Sequence, residues 1–142
     1  MSPGRVLREP PPDPNDPRTE RTNALKLYAI SDVHVGFREN LAALETLPER
    51  PEDWLVLCGD VGDTLEQVER AIELLARKFA RLVWVPGNHE LWTVPRKTGL
   101  RGVARYAALV ELCRGHGVLT PEDPFAVWPG EGGPHVRAPL FV

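Results

Sequence analysis

Three short polar motifs carry residue types that hold metal ions and move protons: Asp32-Val33-His34, Gly59-Asp60-Val61-Gly62-Asp63 and Gly87-Asn88-His89-Glu90. Asp32, Asp60, His34 and Asn88 offer carboxylate oxygen, imidazole nitrogen and amide oxygen. That donor set suits Mn, Fe or Zn better than thiolate-loving metals. A carboxylate has two oxygens, so one Asp can bridge two cations about 3.5–4 Å apart, the separation of two-metal hydrolytic sites. Found singly, the first two motifs read as turn chemistry, because Asp and Gly are ordinary residues of tight turns, whereas Asn88-His89 at the end of an apolar run has little structural purpose. Found in this order, each behind an apolar run, they ask for a common purpose.

The apolar runs lie at 25–30, 54–58 and 82–85. Each is short, rich in branched or aromatic residues and closed by a polar or glycine-containing turn, which predicts buried strands. Between the second and third, Leu65, Val68, Ala71, Ile72, Leu75 and Phe79 recur at steps of three and four. Charged residues fall between them, as on an amphipathic helix. The first connection, 40–47, predicts a shorter helix with Asn40 as its N-cap and Pro48 as a stop. Strand, helix, strand, helix, strand implies parallel strands with right-handed crossovers. The carboxyl ends of all three strands then share one edge, where open α/β sheets bind ligands. The middle strand would supply the bridging carboxylate, Asp60.

The order Asp-x-His, Gly-Asp-x-x-Asp, Gly-Asn-His-Glu resembles the calcineurin-like metallophosphoesterases. At roughly one chance in twenty per specified position, accidental agreement over all three motifs is negligible. The resemblance covers 25–142 and implies the N-terminal part of a layered α/β/β/α sandwich. It implies two divalent metal ions, Mn first and Fe or Zn as alternatives. Asp32 and His34 would bind the first ion, Asp60 would bridge, and Asn88 would bind the second. His89 would face the substrate as proton donor to the leaving oxygen, with Asp63 holding its ring. Glu90 would brace the turn. The implied reaction is water attack on a phosphate mono- or diester, with a small phosphate ester or a nucleotide as substrate.

The chain departs from the family pattern after His89. A complete member has a further histidine and a Gly-His-x-His segment, whereas only His116 and His135 remain here, outside any such segment. Arg114-Gly115-His116-Gly117 reads as a helix stop. His135 opens an apolar run, 135–142, and reads as a surface residue at a strand start. The expectation is therefore a domain that stops partway, with weak binding of the second metal. Competing readings are a non-catalytic binding module of the same fold, an inactive fragment, or a site that another chain completes.

Length and composition agree with one domain, 24–142: the chain has 142 residues, 42% of them hydrophobic and 26% charged, enough for one core. A net charge of −3 gives no general basic field for nucleic acid. Cys58 and Cys113 read as small buried hydrophobes, not as a disulfide framework. Residues 1–23, with Pro10-Pro11-Pro12, Pro14 and Pro17, read as a disordered, solvated tail. No run is long enough for a signal peptide or a membrane span, so the cytoplasm is the expected location. Pro95, Arg96 and Lys97 read as a solvated loop that could also meet a phosphate, and Trp92 as packing that loop onto the domain. A structural helix is expected over 101–114, with Val103, Tyr106, Ala107, Val110 and Leu112 or Cys113 turned to the core. Strands are expected at 117–120, 125–128 and the terminal run, beginning a second sheet.

Overall fold

The computed structural model describes residues 25–92 and 99–130. The tail 1–23, the cations Arg96 and Lys97, His135 and the terminal apolar run all lie outside the described residues. The chain runs β1 (Leu27–Ile30), α1 (Arg38–Glu45), β2 (Arg50–Cys58), α2 (Leu65–Ala76), β3 (Phe79–Val85), α3 (Asn88–Leu91) and α4 (Gly102–Gly115). The three strands form one parallel sheet in the order β1-β2-β3, with Ile30 opposite Leu57 and Cys58 opposite Val85. This is the mixed α/β arrangement the alternation of patterns predicts, with β2 in the middle.

Side chains alternate across a strand, so the sheet has two faces. On one face Leu55, Leu57, Leu82 and Trp84 join Val68, Ala71, Ile72 and Leu75 of α2 and Leu109 and Cys113 of α4 in a single core. Thr64 caps α2, its side chain accepting from Gln67 N–H, and the helix stripe is buried as its spacing requires. Phe79 falls outside that helix: it opens β3, since α2 already ends at Ala76. The other face carries Leu27, Trp54, Val56, Val83 and Val85, flanked by residues of 119–128. There the Trp128 indole meets Trp54 edge to face at 5.4 Å.

Four expectations are corrected by this geometry. Cys58 is exposed, because its parity puts it on the Trp54 face and not in the core. Asn40 is not an N-cap: Phe37 holds that position without a side-chain bond, and Asn40 sits inside the first turn. In α4 the buried residues are Arg105, Leu109, Val110 and Cys113, whereas Val103 is 84% exposed and Ala107 is also exposed. The helix is apolar on almost every side, so its pattern does not fix its rotation. Finally, 125–128 forms no strand between Pro124 and Pro129, which lack the N–H a ladder needs. Within 117–120, Leu119 makes a single parallel bridge to Val83 beside β3. His116 does cap α4, and Gly117 follows with φ +71°.

Leu57 is fully buried in the middle strand. Leu57→Ala is expected to lower stability by about 2–5 kcal/mol through lost burial and the cavity left behind. Urea unfolding followed by circular dichroism checks this, and a change below half a kilocalorie would show that the sheet is not the centre of the core.

Candidate metal and phosphoester site

The three motifs leave the sheet at the same edge and pair with one another beyond the last strand residues. Asp32 N–H donates to Gly59 C=O at 3.3 Å, His34 N–H to Asp60 C=O at 2.9 Å, and Val35 N–H to Val61 C=O at 2.9 Å. The second and third loops approach more closely still. A Cβ on Gly59 would lie 2.6 Å from Gly87 Cα, and one on Gly87 would overlap the Asp60 carboxylate. Only glycines allow that approach. Gly59 has φ +78°, and three non-glycine residues share the left-handed region: Asp32 at 55°, His34 at 43° and Asp60 at 54°. Such conformations cost of order 1–3 kcal/mol each and cluster where function over-determines the backbone.

The strain is held by a buried anion. Glu90 is fully buried, and its Oε2 accepts from Asp60 N–H and Gly87 N–H at 3.0 Å each. Its Oε1 accepts from Val61 N–H at 2.6 Å. Glu90 thus braces the turn, as expected, by joining the second motif to the third. The first motif is held by Asn40, whose Nδ2 donates to Val33 C=O at 2.9 Å and more weakly to His34 C=O at 3.4 Å. That residue escaped the sequence reading because Asn before a helix is usually a cap.

Side chains converge on this frame. One donor atom each from His34, Asp60 and His89 lies within 4.8 Å of the others. Asp60 Oδ1 also accepts from His89 N–H at 3.0 Å. His89 Nδ1–H donates to Asp63 Oδ1 at 2.8 Å, the contact expected of a ring held by Asp63. That hydrogen bond, aided by the charges of Asp60, Asp63 and Glu90 and opposed by desolvation, raises the His89 pKa above its ordinary value. The His34 and His89 rings meet edge on at 4.5 Å, and Trp92 lies 4.0 Å from His89. Trp92 is half exposed and therefore packs on the histidine and not into the core. Asp32 and Asn88 stand on the same edge with exposed side chains, and Asp32 is not among the groups that converge. A shallow groove lined by His34, Phe37, Asp63, Gln67 and His89 opens beside them.

The Asp60 carboxylate and the His34 imidazole, brought together beside the His89 ring on a strained and glycine-packed edge, fit a divalent cation. Sequence reading found these residues but missed Arg105. Its guanidinium is buried and donates from Nη2 to Asp63 C=O at 2.6 Å and from Nε to Glu90 C=O. The second cluster among the described residues, Glu69, Glu73 and His116, lies on the exposed side of α2 and α4.

Known proteins show similar sequences and folds. Residues 25–134 match the family model described as calcineurin-like phosphoesterase. A curated Mycobacterium tuberculosis protein, "[Acyl-carrier-protein] phosphodiesterase PptH", is 47% identical over 118 residues, which are 82% of this chain and 36% of that protein. A crystal structure described as phosphopantetheinyl hydrolase (PptH) from Mycobacterium tuberculosis superposes with a TM-score of 0.73 at 46% identity. That match covers 78% of this chain and 40% of the other. The chain therefore spans little more than a third of the curated relative's length.

Glu90→Gln places an amide N–H against backbone N–H groups that now share a carboxylate. The expected loss is about 1–3 kcal/mol of stability together with weaker cation binding, read by urea unfolding and by metal titration. Unaltered metal affinity in a folded variant would show that Glu90 holds the fold but not the edge.

Proposed function

Because the chain belongs to the calcineurin-like phosphoesterase family, we propose that its motif edge cleaves a phosphate ester bond with water. The observation that carries this reading is the convergence of His34, Asp60 and His89 beside a ring fixed by Asp63. Divalent cations bound there would supply Lewis-acid chemistry, polarising a phosphoryl oxygen and acidifying water. Asp32 and His34 would hold one ion, Asn88 would hold the other, and Asp60 would be shared by both. Mn is the first choice for this oxygen and nitrogen donor set, with Fe or Zn as alternatives.

The chain's own residues do the rest. Asp63 accepts a hydrogen bond from Nδ1–H of His89, which fixes the ring and leaves Nε2 as the atom that presents a proton to the leaving oxygen. The raised pKa of His89 favours the protonated ring that this step requires. Trp92 covers one side of that ring and restricts its motion. For the substrate class we take a phosphodiester that links a phosphopantetheine arm to a carrier protein. Identity of 46–47% to the Mycobacterium tuberculosis protein described as an acyl-carrier-protein phosphodiesterase and as a phosphopantetheinyl hydrolase supports that choice over a nucleotide. Among the described residues no helix is long and apolar enough to cross a membrane.

Two substitutions test the reading. Asp60→Asn replaces the bridging carboxylate by a neutral amide and is expected to weaken both metals. Elemental analysis showing unchanged stoichiometry would remove the bridge. His89→Ala is expected to keep the metals while lowering turnover by about 10²-fold or more on esters with poor leaving groups. Release of phosphopantetheine from a loaded carrier protein gives the natural readout, beside chromogenic esters. If His89→Ala strips the metals, His89 is a ligand and the proton-donor role falls.

A further inference from the structure

Arg105 is a cation on the buried side of α4, 1% exposed, in a helix stripe otherwise made of Leu109, Val110 and Cys113. Burying a guanidinium is costly unless its donors are matched. Two of its matches lie on separate motif loops. Nη2–H donates to the carbonyl of Asp63, and Nε–H donates to the carbonyl of Glu90, the residue that follows His89. Asp63 and His89 are the two partners of the 2.8 Å ring contact. A single planar, rigid group therefore spans the backbone on both sides of that contact.

Asp63 is clamped from the other direction as well. Its N–H donates to Gln67 Oε1 at 2.7 Å. With N–H and C=O both fixed, its carboxylate has little freedom except its own side-chain rotation. The arginine fork is pre-organised, whereas a lysine ammonium is a flexible point charge that does not reproduce two N–H donors fixed in one plane. Proton transfer needs placement to within about half an ångström, which supporting groups of this kind provide.

We infer that Arg105 is a positioning residue of the phosphoester site: it sets the separation of Asp63 and His89 and so ties the proton-donating ring to the packing of α4. This assignment rests on the reading of His89 as proton donor. It requires no contact between Arg105 and substrate.

The test uses the full chain and its Arg105→Lys variant, with isotope-labelled histidine rings followed by proton NMR. Expected is a fold and a metal content close to the parent, with the His89 Nδ1 proton exchanging with water about tenfold faster or more. Turnover on poor leaving groups should fall about tenfold at unchanged KM, with less than a twofold effect on good leaving groups. A folded variant with unchanged His89 exchange would overturn the proposal, as would an equal loss on all leaving groups together with lost metal. Should Arg105→Lys not fold, exchange of the Arg105 Nε–H in the parent decides. Protection comparable to the His89 ring proton supports the link, and exchange at the rate of free arginine refutes it. A parent that binds metal, shows the protected His89 proton and hydrolyses no phosphate ester would refute the function while leaving the Arg105 link to be judged by exchange alone.

Discussion

The carboxylate of Glu90 accepts three backbone N–H groups drawn from two separate loops, and the geometry of the motif edge depends on that buried anion. Asp60 and Val61 follow β2, and Gly87 follows β3, so the anion sits where two strands of a parallel sheet release their chains. Without it, those N–H groups would lose their partner. An unmatched buried donor costs about 1–3 kcal/mol, and here one buried and two half-buried donors would be orphaned together. The compensation works in both directions, since a fully buried carboxylate is itself tolerable only when hydrogen-bonded. Arg105 meets the same residue through its backbone carbonyl, which places a cation near the anion.

Such bracing is what permits the unusual backbone. Three candidate ligands with side chains occupy the left-handed region, where a Cβ normally clashes. Isolated in a loop, each would relax. Held between the Glu90 carboxylate on one side and Asn40 on the other, they keep their side chains at the sheet edge. Stability is thus exchanged for placement, in the manner expected when local rules fail at a functional position. The same logic explains Gly87: a side chain there would occupy the space of the Asp60 carboxylate.

What was legible in the sequence is what periodicity and turn chemistry encode. The three strands, the α2 stripe and the motif residues at one edge all follow from short apolar runs and a step of three and four. The ring contact of Asp63 with His89 was legible only through the family resemblance, because no local pattern links residues 26 positions apart. Two kinds of information were not legible. The rotation of α4 was hidden because Val103, Ala107 and Leu109 are all apolar, so burial of Arg105, Leu109 and Cys113 could not be told from its neighbours. Roles that depend on the partner across space were hidden: Asn40 read as a cap, and Gln67 and Arg105 carried no local signal. Cys58 shows the same limit in a strand, where parity is readable but the covering of each face is not.

Register is the step that connects these levels. Ile30 lies opposite Leu57, and Cys58 opposite Val85. Continued past the strand ends, this offset sets Asp32 beside Gly59 and Asp60 beside Gly87, with Asn88 and His89 next along the chain. A slip of one residue between β2 and β3 would move every side chain to the opposite face and set Val61 or Gly59 against the third motif. Two features oppose such a slip. Leu55 and Leu57 would leave the core, and the close approach of the Gly59 and Gly87 backbones, which a Cβ on either would block, would be lost. The core and the metal edge therefore select the same register for independent reasons. Packing of apolar side chains on one face of the sheet thereby decides which polar side chains meet at its end.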